Sequence, residues 1–311
     1  MVRVVHELGE RGTEAIRSAY PDVDIVEVAG GAPPPELRAE VFFGGYAQPE
    51  KLLAWLDGCE IKWVQIAGTG VDRFPQELYG NGRVVTCARG AVAVPISEFV
   101  LASMLAFEKQ IPDVWLHEAP ERWNLASLGG LEGRTLGLVG LGGIGTAIVE
   151  RAQAFGMRVV ATRRHPDAPS PIDGIEVVPS LDHVLAAADH LVLAAPATAR
   201  TQGLIGTAAL AKVKPGVHLV NIARGSLVDQ DALRVALDDG RVAAASLDTV
   251  TPEPLPAGHW MYTHPKVRLT AHVSWSSPAY LGGATQIFLD NLGRYIRGED
   301  VQFVVDPEEG Y

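Results

Sequence analysis

Residues 135–145 read TLGLVGLGGIG, an apolar run that ends in closely spaced glycines, and an amphipathic segment over 143–155 follows directly. This pattern predicts a β-strand, a tight turn and a helix. In a dinucleotide-binding turn the first glycine makes the turn, the second lets the backbone approach the pyrophosphate, and the third allows close helix–strand packing. The start of the helix offers unpaired N–H groups to the phosphates. The sequence therefore predicts such a turn at Gly140, Gly142, Gly143, Ile144 and Gly145, with an ordinary glycine-rich turn as the alternative.

Outward from this turn, short β-branched runs alternate with helical stretches along the whole chain. Strands are predicted at 2–5, 23–28, 41–43, 61–66, 135–139, 157–161, 175–178, 190–194, 217–222, 242–247 and 267–270. Helices are predicted at 12–20, 49–57, 95–110, 143–155, 181–188, 207–213, 230–239 and 279–297. Apolar runs separated by helices favour parallel sheets that are covered on both faces, so the fold class is α/β. The 95–110 helix is apolar on nearly every side, which predicts burial on every side, between domains or between subunits.

Composition and charge limit the function classes. Acidic residues outnumber basic ones by 37 to 26, and a net charge of −11 argues against binding nucleic acid or an anionic membrane through the overall field. Cys59 and Cys87 cannot form a disulfide framework, and no Cys/His spacing is typical of a zinc site. The N-terminus lacks the pattern of a signal peptide, and the most apolar window is too short and too broken to span a bilayer. We therefore expect a soluble, cytoplasmic protein without a metal.

The strand after the glycine-rich helix ends in Arg163 and Arg164. An NAD site usually carries an acidic residue about here, which accepts a hydrogen bond from the ribose 2′-hydroxyl. Two arginines suit a 2′-phosphate instead, so we predict that NADP is preferred and that NAD can be used. The alternative is a solvated pair of loop residues.

Three later segments place ionisable residues at or just past the carboxyl ends of predicted strands, where open α/β sheets bind their ligands. They are 221–229 with Arg224, 247–256 with Asp248 and Glu253, and 269–272 with His272. Together with the glycine-rich turn, they resemble the D-isomer-specific 2-hydroxyacid dehydrogenase family. The resemblance covers nearly the whole chain and is most specific over 131–277.

The resemblance implies catalytic roles for Arg224, Glu253 and His272 that the chemistry of the side chains supports. Arg224 would bind the substrate carboxylate with its planar fork and polarise the 2-oxo group. His272 would donate a proton to the carbonyl oxygen during reduction and remove it during oxidation. Glu253 would hold the imidazole and favour its protonated form. The other eight histidines are interpreted as structural.

Further positions take their expected roles from the same resemblance. Asp248, Pro196 and Ala223 would lie near the cofactor, with capping of a turn as the alternative role for Asp248. Thr69 and Gly70 match a loop whose backbone N–H groups receive the substrate carboxylate, with a plain tight turn as the alternative. Trp275 follows His272 with a spacing similar to that of the C-terminal binding protein corepressors, a branch of the family whose matching tryptophan lines the substrate pocket. Core packing is the alternative role for Trp275.

The predicted fold has two doubly wound parallel-sheet domains. A Rossmann cofactor domain, residues 95–276, is inserted into a flavodoxin-like substrate domain made of residues 1–94 and 277–311. The predicted function is hydride transfer between a nicotinamide cofactor and a 2-oxo acid/D-2-hydroxy acid pair, with glyoxylate or hydroxypyruvate as the specific expectation. An NAD(H)-binding sensor or corepressor, and a dehydrogenase of another small anion such as phosphite or formate, are the alternatives. The family resemblance and the apolar 96–110 helix predict a homodimer.

Overall fold

The computed structural model describes residues 2–28, 36–44, 49–79, 82–124, 127–277 and 280–306. The chain forms two units, one of Met1–Val92 with Ser277–Tyr311 and one of Ala93–Ser276. The predicted divisions are 94/95 and 276/277, so the first division lies two residues earlier in the structure. The division does not test which unit binds substrate and which binds cofactor, and that assignment stays a prediction.

The regular elements alternate as the sequence predicts. The strands are β1 Arg3–His6, β2 Asp24–Glu27, β3 Val41–Gly44, β4 Trp63–Ile66, β5 Val84–Cys87, β6 Thr135–Val139, β7 Arg158–Thr162, β8 Glu176–Val177, β9 His190–Leu193, β10 Val217–Asn221, β11 Val242–Leu247 and β12 Val267–Leu269. The helices are α1 Gly9–Ala19, α2 Pro49–Cys59, α3 Ala93–Glu108, α4 Gly143–Ala154, α5 Leu181–Ala187, α6 Thr207–Leu210, α7 Gln230–Asp238 and α8 Tyr280–Ile296. Strand β5 is not predicted from the sequence.

The first unit contains a five-stranded sheet in the order β2-β1-β3-β4-β5, and every neighbouring pair is parallel. This order is the flavodoxin-like arrangement. Helix α8, far away in the sequence, completes the core of this unit. Its Phe288 stacks on Phe43 and Trp63, with ring centroids 4.3 and 5.5 Å apart.

The second unit contains a seven-stranded parallel sheet in the order β12-β11-β10-β9-β6-β7-β8. From β6 the chain builds outward through β7 to β8, and then returns to the other side of β6 with β9. This reversal is the switch point of a doubly wound Rossmann sheet, where ligands bind beyond the carboxyl ends of the strands. The predicted α/β class and the doubly wound arrangement of both sheets are confirmed.

Helix α3 starts at Ala93, so Pro95 lies in its first turn, where a missing N–H costs no helical hydrogen bond. Ile96, Val100 and Met104 on this helix are buried. Within the described chain, α3 is not buried on every side, because Val94 is 51% exposed and Ala102 is also exposed; its burial between subunits stays a prediction. Among the described residues, no helix combines the length and the apolar character needed to cross a lipid bilayer.

Candidate active site

The glycine-rich turn after β6 has the backbone that its sequence predicts. Gly140 has a φ of +104°, and a Cβ atom there would lie 2.6 Å from the Ala195 nitrogen. A Cβ atom on Gly145 would collide with the carbonyl of Gly140, so α4 packs directly onto the turn. A Cβ atom on Gly142, in contrast, would meet no atom within 4 Å. The turn therefore packs tightly against the protein at Gly140 and Gly145 and has free space at Gly142.

Gly142 caps the N-terminus of α4 without a side-chain hydrogen bond, so the first N–H groups of this helix have no capping side chain. Such a helix start attracts anions through its N–H groups and its dipole. With the open space at Gly142, this arrangement fits the pyrophosphate of a dinucleotide. The residues of this turn therefore fit a dinucleotide cofactor.

Arg163 and Arg164 follow directly after β7, at the carboxyl edge of the sheet. The Nη2 atom of Arg163 donates to the carbonyl oxygens of Ala168 and Pro169, at 2.9 Å for Pro169, and so holds its own loop. Its Nε atom is buried and has no partner within the described chain. Arg164 is exposed. No carboxylate takes the position at which an NAD site usually places one.

The turns after β9 and β10 are held by short polar side chains. After β9, the Thr201 hydroxyl donates to the carbonyl of Pro196 at 2.7 Å. After β10, the Asn221 side chain accepts from the Ala223 N–H at 3.1 Å and donates to the Arg224 carbonyl at 2.9 Å. Asn221, the last residue of β10, is therefore a positioning residue for the Arg224 loop. The sequence predicts no role for it, although an asparagine at the start of a turn is typical.

Arg224 is half-buried, and its Nη1 atom donates to the Ala223 carbonyl at 2.7 Å. The next residue, Gly225, packs so closely on Val250 that a Cβ atom there would overlap the Val250 backbone. This contact fixes the Arg224 loop against the segment that follows β11. Only glycine fits at this contact.

His272 and Glu253 form the predicted pair. The His272 Nδ1 atom lies 2.9 Å from the Glu253 Oε2 atom, and the Val250 N–H donates to the other carboxylate oxygen at 3.2 Å. An ionised carboxylate only accepts hydrogen bonds, so Nδ1 carries the proton and donates. The His272 Nε2 atom makes no hydrogen bond within the described chain and remains available for chemistry. Both side chains are partly exposed, at 24% and 22%.

Asp248, directly after β11, is buried and binds the loop that carries His272. Its Oδ1 atom accepts from the Thr270 hydroxyl at 2.7 Å and from the Val273 N–H at 2.8 Å, and Oδ2 accepts from the Ser274 N–H at 3.0 Å. The geometry thus gives Asp248 the turn-capping role that the sequence left open. Its contact with the cofactor stays a prediction.

Trp275 is half-buried, and its indole N–H donates to the His272 carbonyl at 2.8 Å. Thr69 and Gly70 belong to the first unit, after β4, where the Thr69 hydroxyl donates to the Ala88 carbonyl at 3.0 Å. The substrate-binding roles of these three residues stay predictions. In the described parts of the chain, no three His, Cys, Asp or Glu side chains are grouped as metal ligands would be.

A buried polar network that the sequence does not predict joins α3 to the second sheet. His190 Nε2 lies 3.1 Å from Glu108 Oε1, His190 Nδ1 lies 3.1 Å from His218 Nδ1, and His218 Nε2 lies 3.0 Å from Ser246 Oγ. Burial lowers the pKa of His190 to about 4 and holds the pKa of His218 well below its usual range. Burial also raises the pKa of the Glu108 carboxyl. Both histidines are therefore neutral and structural, as predicted for histidines outside the site.

Comparison with known proteins places the chain in a family. Residues 101–274 match the family model described as D-isomer specific 2-hydroxyacid dehydrogenase, NAD binding domain. A D-3-phosphoglycerate dehydrogenase of Methanocaldococcus jannaschii is 32% identical over 79% of this chain and 48% of its own length. A glyoxylate reductase of Korarchaeum cryptofilum is 32% identical over 75% of this chain and 72% of its own length.

The chain thus spans about half the length of the phosphoglycerate dehydrogenases that it matches. Among solved structures, a D-isomer specific 2-hydroxyacid dehydrogenase from Xanthobacter autotrophicus Py2, in complex with NADPH and MES, superposes with a TM-score of 0.80. It is 26% identical, and the match covers 100% of this chain and 99% of that chain. The matched family model includes the glycine-rich turn and the segments that carry Arg224, Glu253 and His272. The chain belongs to the D-isomer specific 2-hydroxyacid dehydrogenase family.

Proposed function

We propose that this protein is an NAD(P)-dependent dehydrogenase that interconverts a 2-oxo acid and the corresponding D-2-hydroxy acid. The observation that carries the proposal is the His272–Glu253 pair, with 2.9 Å between Nδ1 and Oε2 and with Nε2 open to a ligand. A protein that only senses NAD(H) has no need of a proton donor supported in this way. The same sheet edge carries Arg224 and a glycine turn that fits a dinucleotide.

Each side chain has a distinct task in this reaction. The nicotinamide cofactor supplies or accepts the hydride when it is bound. His272 donates a proton from Nε2 to the carbonyl oxygen during reduction and takes it back during oxidation. Glu253 accepts from Nδ1, which fixes the orientation of the ring and stabilises the imidazolium. Arg224 binds the substrate carboxylate with its planar guanidinium, because a carboxylate matches the two parallel N–H groups of the fork.

The proposed cofactor is NADPH, with NADH as a poorer substitute. The support is the pair of arginines directly after β7 and the absence of a carboxylate at that position. Pro196, Ala223 and Asp248 are proposed to lie beside the bound cofactor, since their turns leave the same sheet edge.

The proposed substrate class is small 2-oxo acids, with glyoxylate or hydroxypyruvate as the specific candidates. A relative named glyoxylate reductase supports this choice, and relatives named D-3-phosphoglycerate dehydrogenase make a phosphorylated 2-oxo acid the main competitor. The backbone N–H groups of Thr69 and Gly70 are proposed to receive the substrate carboxylate, and the Trp275 ring to face the substrate.

The proposed partner is a second copy of the chain. Helix α3 has an apolar composition, yet Val94 and Ala102 are exposed on a face that also carries the exposed Glu98, and Phe99 is half-buried beside them. An exposed helix face that is mostly apolar is stabilised when a second subunit covers it.

The test is steady-state oxidation of NADPH, and separately of NADH, with glyoxylate, hydroxypyruvate, 3-phosphohydroxypyruvate and pyruvate. Oxidation of phosphite and formate in the reverse direction serves as a control. We expect turnover with at least one 2-oxo acid and none with phosphite or formate. A protein that binds NADPH tightly but turns over none of these acids would be a sensor and not a dehydrogenase.

A further inference from the structure

His272 has an unusual backbone conformation for a residue with a side chain. Its φ is +54°, in the left-handed region that glycine adopts freely and that L-residues disfavour. A conformation of this kind persists only where the surroundings hold it. The backbone contacts on both sides of His272 therefore determine where its imidazole lies.

One side of His272 is held by Asp248. The His272 N–H donates to the Asp248 carbonyl at 2.9 Å, and the N–H groups of Val273 and Ser274 donate to the Asp248 carboxylate. These contacts fix three successive amides. None of these contacts involves the carbonyl of His272, which is the other hydrogen-bonding group of this residue's backbone.

Trp275 binds that carbonyl, with 2.8 Å between the indole Nε1 atom and the oxygen. We infer that Trp275 is a positioning residue for His272: its indole N–H completes, with Asp248, a clamp on the left-handed backbone that carries the imidazole. This inference rests on the proposed function of the same site. It goes beyond a substrate-facing role for the ring, because it assigns the effect to one N–H group.

The clamp matters because, within the described chain, the imidazole itself has one other anchor, the hydrogen bond from Nδ1 to Glu253. The ring is partly exposed, and Glu253 is carried by a different loop. A small change at the His272 carbonyl therefore moves Nε2 relative to the substrate. Misplacement of a reacting group by about 1 Å can reduce turnover by about a hundredfold. Loss of one of several backbone contacts should reduce it by about tenfold.

The test is Trp275→Phe, which keeps an aromatic ring but removes the N–H group, with Trp260→Phe as the matched control. Trp260 is half-buried in the same unit and contacts the rings of His259 and His264. We expect Trp275→Phe to lower kcat about tenfold, with the KM for NADPH and the ranking of 2-oxo acids unchanged. Hydrogen exchange at the amides of residues 272–274 should become at least tenfold faster. Trp260→Phe should change neither kcat nor hydrogen exchange at these amides.

Comparison of Trp275→Phe with Trp275→Ala separates the role of the ring as a pocket wall from the role of the N–H group in the clamp. If the clamp operates, Trp275→Phe reproduces most of the loss in kcat that Trp275→Ala causes. If Trp275→Phe behaves as the wild type while Trp275→Ala alters the ranking of substrates, the residue acts only as a pocket wall, and the inference is overturned. Faster exchange without a loss of kcat overturns it as well.

The exchange measurement keeps this inference distinct from the proposed function. If the wild type reduces no 2-oxo acid, the proposed function fails, and exchange alone then decides whether the indole N–H holds the loop. Unchanged exchange at residues 272–274 in Trp275→Phe overturns the inference whatever the turnover.

Discussion

Replacing Arg163 by aspartate should reverse the preference of the protein for NADPH over NADH. The substitution removes a cation that is suited to the 2′-phosphate and places a carboxylate where an NAD site usually has one. In the structure the Arg163 Nε atom has no partner, while Nη2 is already occupied by the carbonyls of Ala168 and Pro169. Arg163 therefore holds its own loop in addition to the role proposed for it at the 2′-phosphate.

The size of the effect follows from these contacts. One charge-assisted hydrogen bond contributes about 1.5–3 kcal/mol, and the partial exposure of Arg163 favours the lower end, or about a tenfold loss of NADPH affinity. The aspartate also accepts a hydrogen bond from the ribose of NADH, worth about 0.5–1.5 kcal/mol, and repels the 2′-phosphate. The ratio of kcat/KM for NADPH to that for NADH should therefore fall by about a hundredfold.

The assay is kcat/KM for both cofactors with one saturating 2-oxo acid. Loss of the loop contacts should lower both values similarly, so it cancels in their ratio. The control is Arg158→Asp, which makes the same change of charge at the exposed first residue of β7. Arg158 lies at the opposite end of this five-residue strand, about 16 Å from position 163 and beyond the screening length. A wild type that uses NADH as well as NADPH, or an equal shift in Arg158→Asp, would refute the reasoning.

Three further predictions concern the site and the core. Glu253→Gln should lower kcat less than loss of His272 does, because the amide oxygen still accepts from the His272 Nδ1–H but carries no negative charge; a kcat of Glu253→Gln as low as that of His272→Ala contradicts this role. Arg224→Lys should reduce kcat/KM for the 2-oxo acid nearly as much as Arg224→Ala, because a lysine cannot form two parallel hydrogen bonds; recovery of most activity by lysine contradicts the proposed fork. Burial lowers the pKa of His190 to about 4 from the ordinary histidine value of 6.5, so the unfolded chain binds an extra proton between these values. The free energy of unfolding should therefore fall by up to about 3 kcal/mol as the pH drops from 6.5 to 4. Urea unfolding of the wild type and of His190→Gln at several pH values checks this, because the variant should lack this part of the pH dependence.

Most of the fold follows from local sequence signals. Strand β6 is predicted to the residue because five apolar or small residues end at a glycine turn. Helix α3 begins two residues before the predicted Pro95, since proline is tolerated in the first helical turn and does not mark the start. Helix α6 ends at Leu210 and not at Val213, and strand β5 was missed, because such short elements depend on their tertiary neighbours more than on their own pattern.

The candidate site is less predictable where a contact has two local explanations. The spacing of Arg224, Glu253 and His272 places all three beyond strand ends, and the His272–Glu253 contact follows the prediction. The sequence cannot decide whether Asp248 faces a cofactor or caps the His272 loop, because both roles need a carboxylate at a strand end. It likewise cannot show that Trp275 binds the His272 carbonyl, which depends on the left-handed backbone at position 272.

The buried network of Glu108, His190 and His218 carries no sequence signal at all. Its members come from α3, β9 and β10 and meet only when the sheet has formed. A sequence pattern assigns each of these residues to its own helix or strand, so it does not predict that their side chains meet.

The central claim is that His272 is the acid–base group of a 2-oxo acid reductase, and kcat of His272→Ala tests it most directly. Turnover of NADPH with the best 2-oxo acid should fall by about 10² to 10⁴, since general acid catalysis contributes about that much, while the Kd for NADPH stays within about twofold. His183→Ala, at an exposed histidine of the same unit, should match the wild type. Near wild-type turnover by His272→Ala, with cofactor binding intact, would contradict the account.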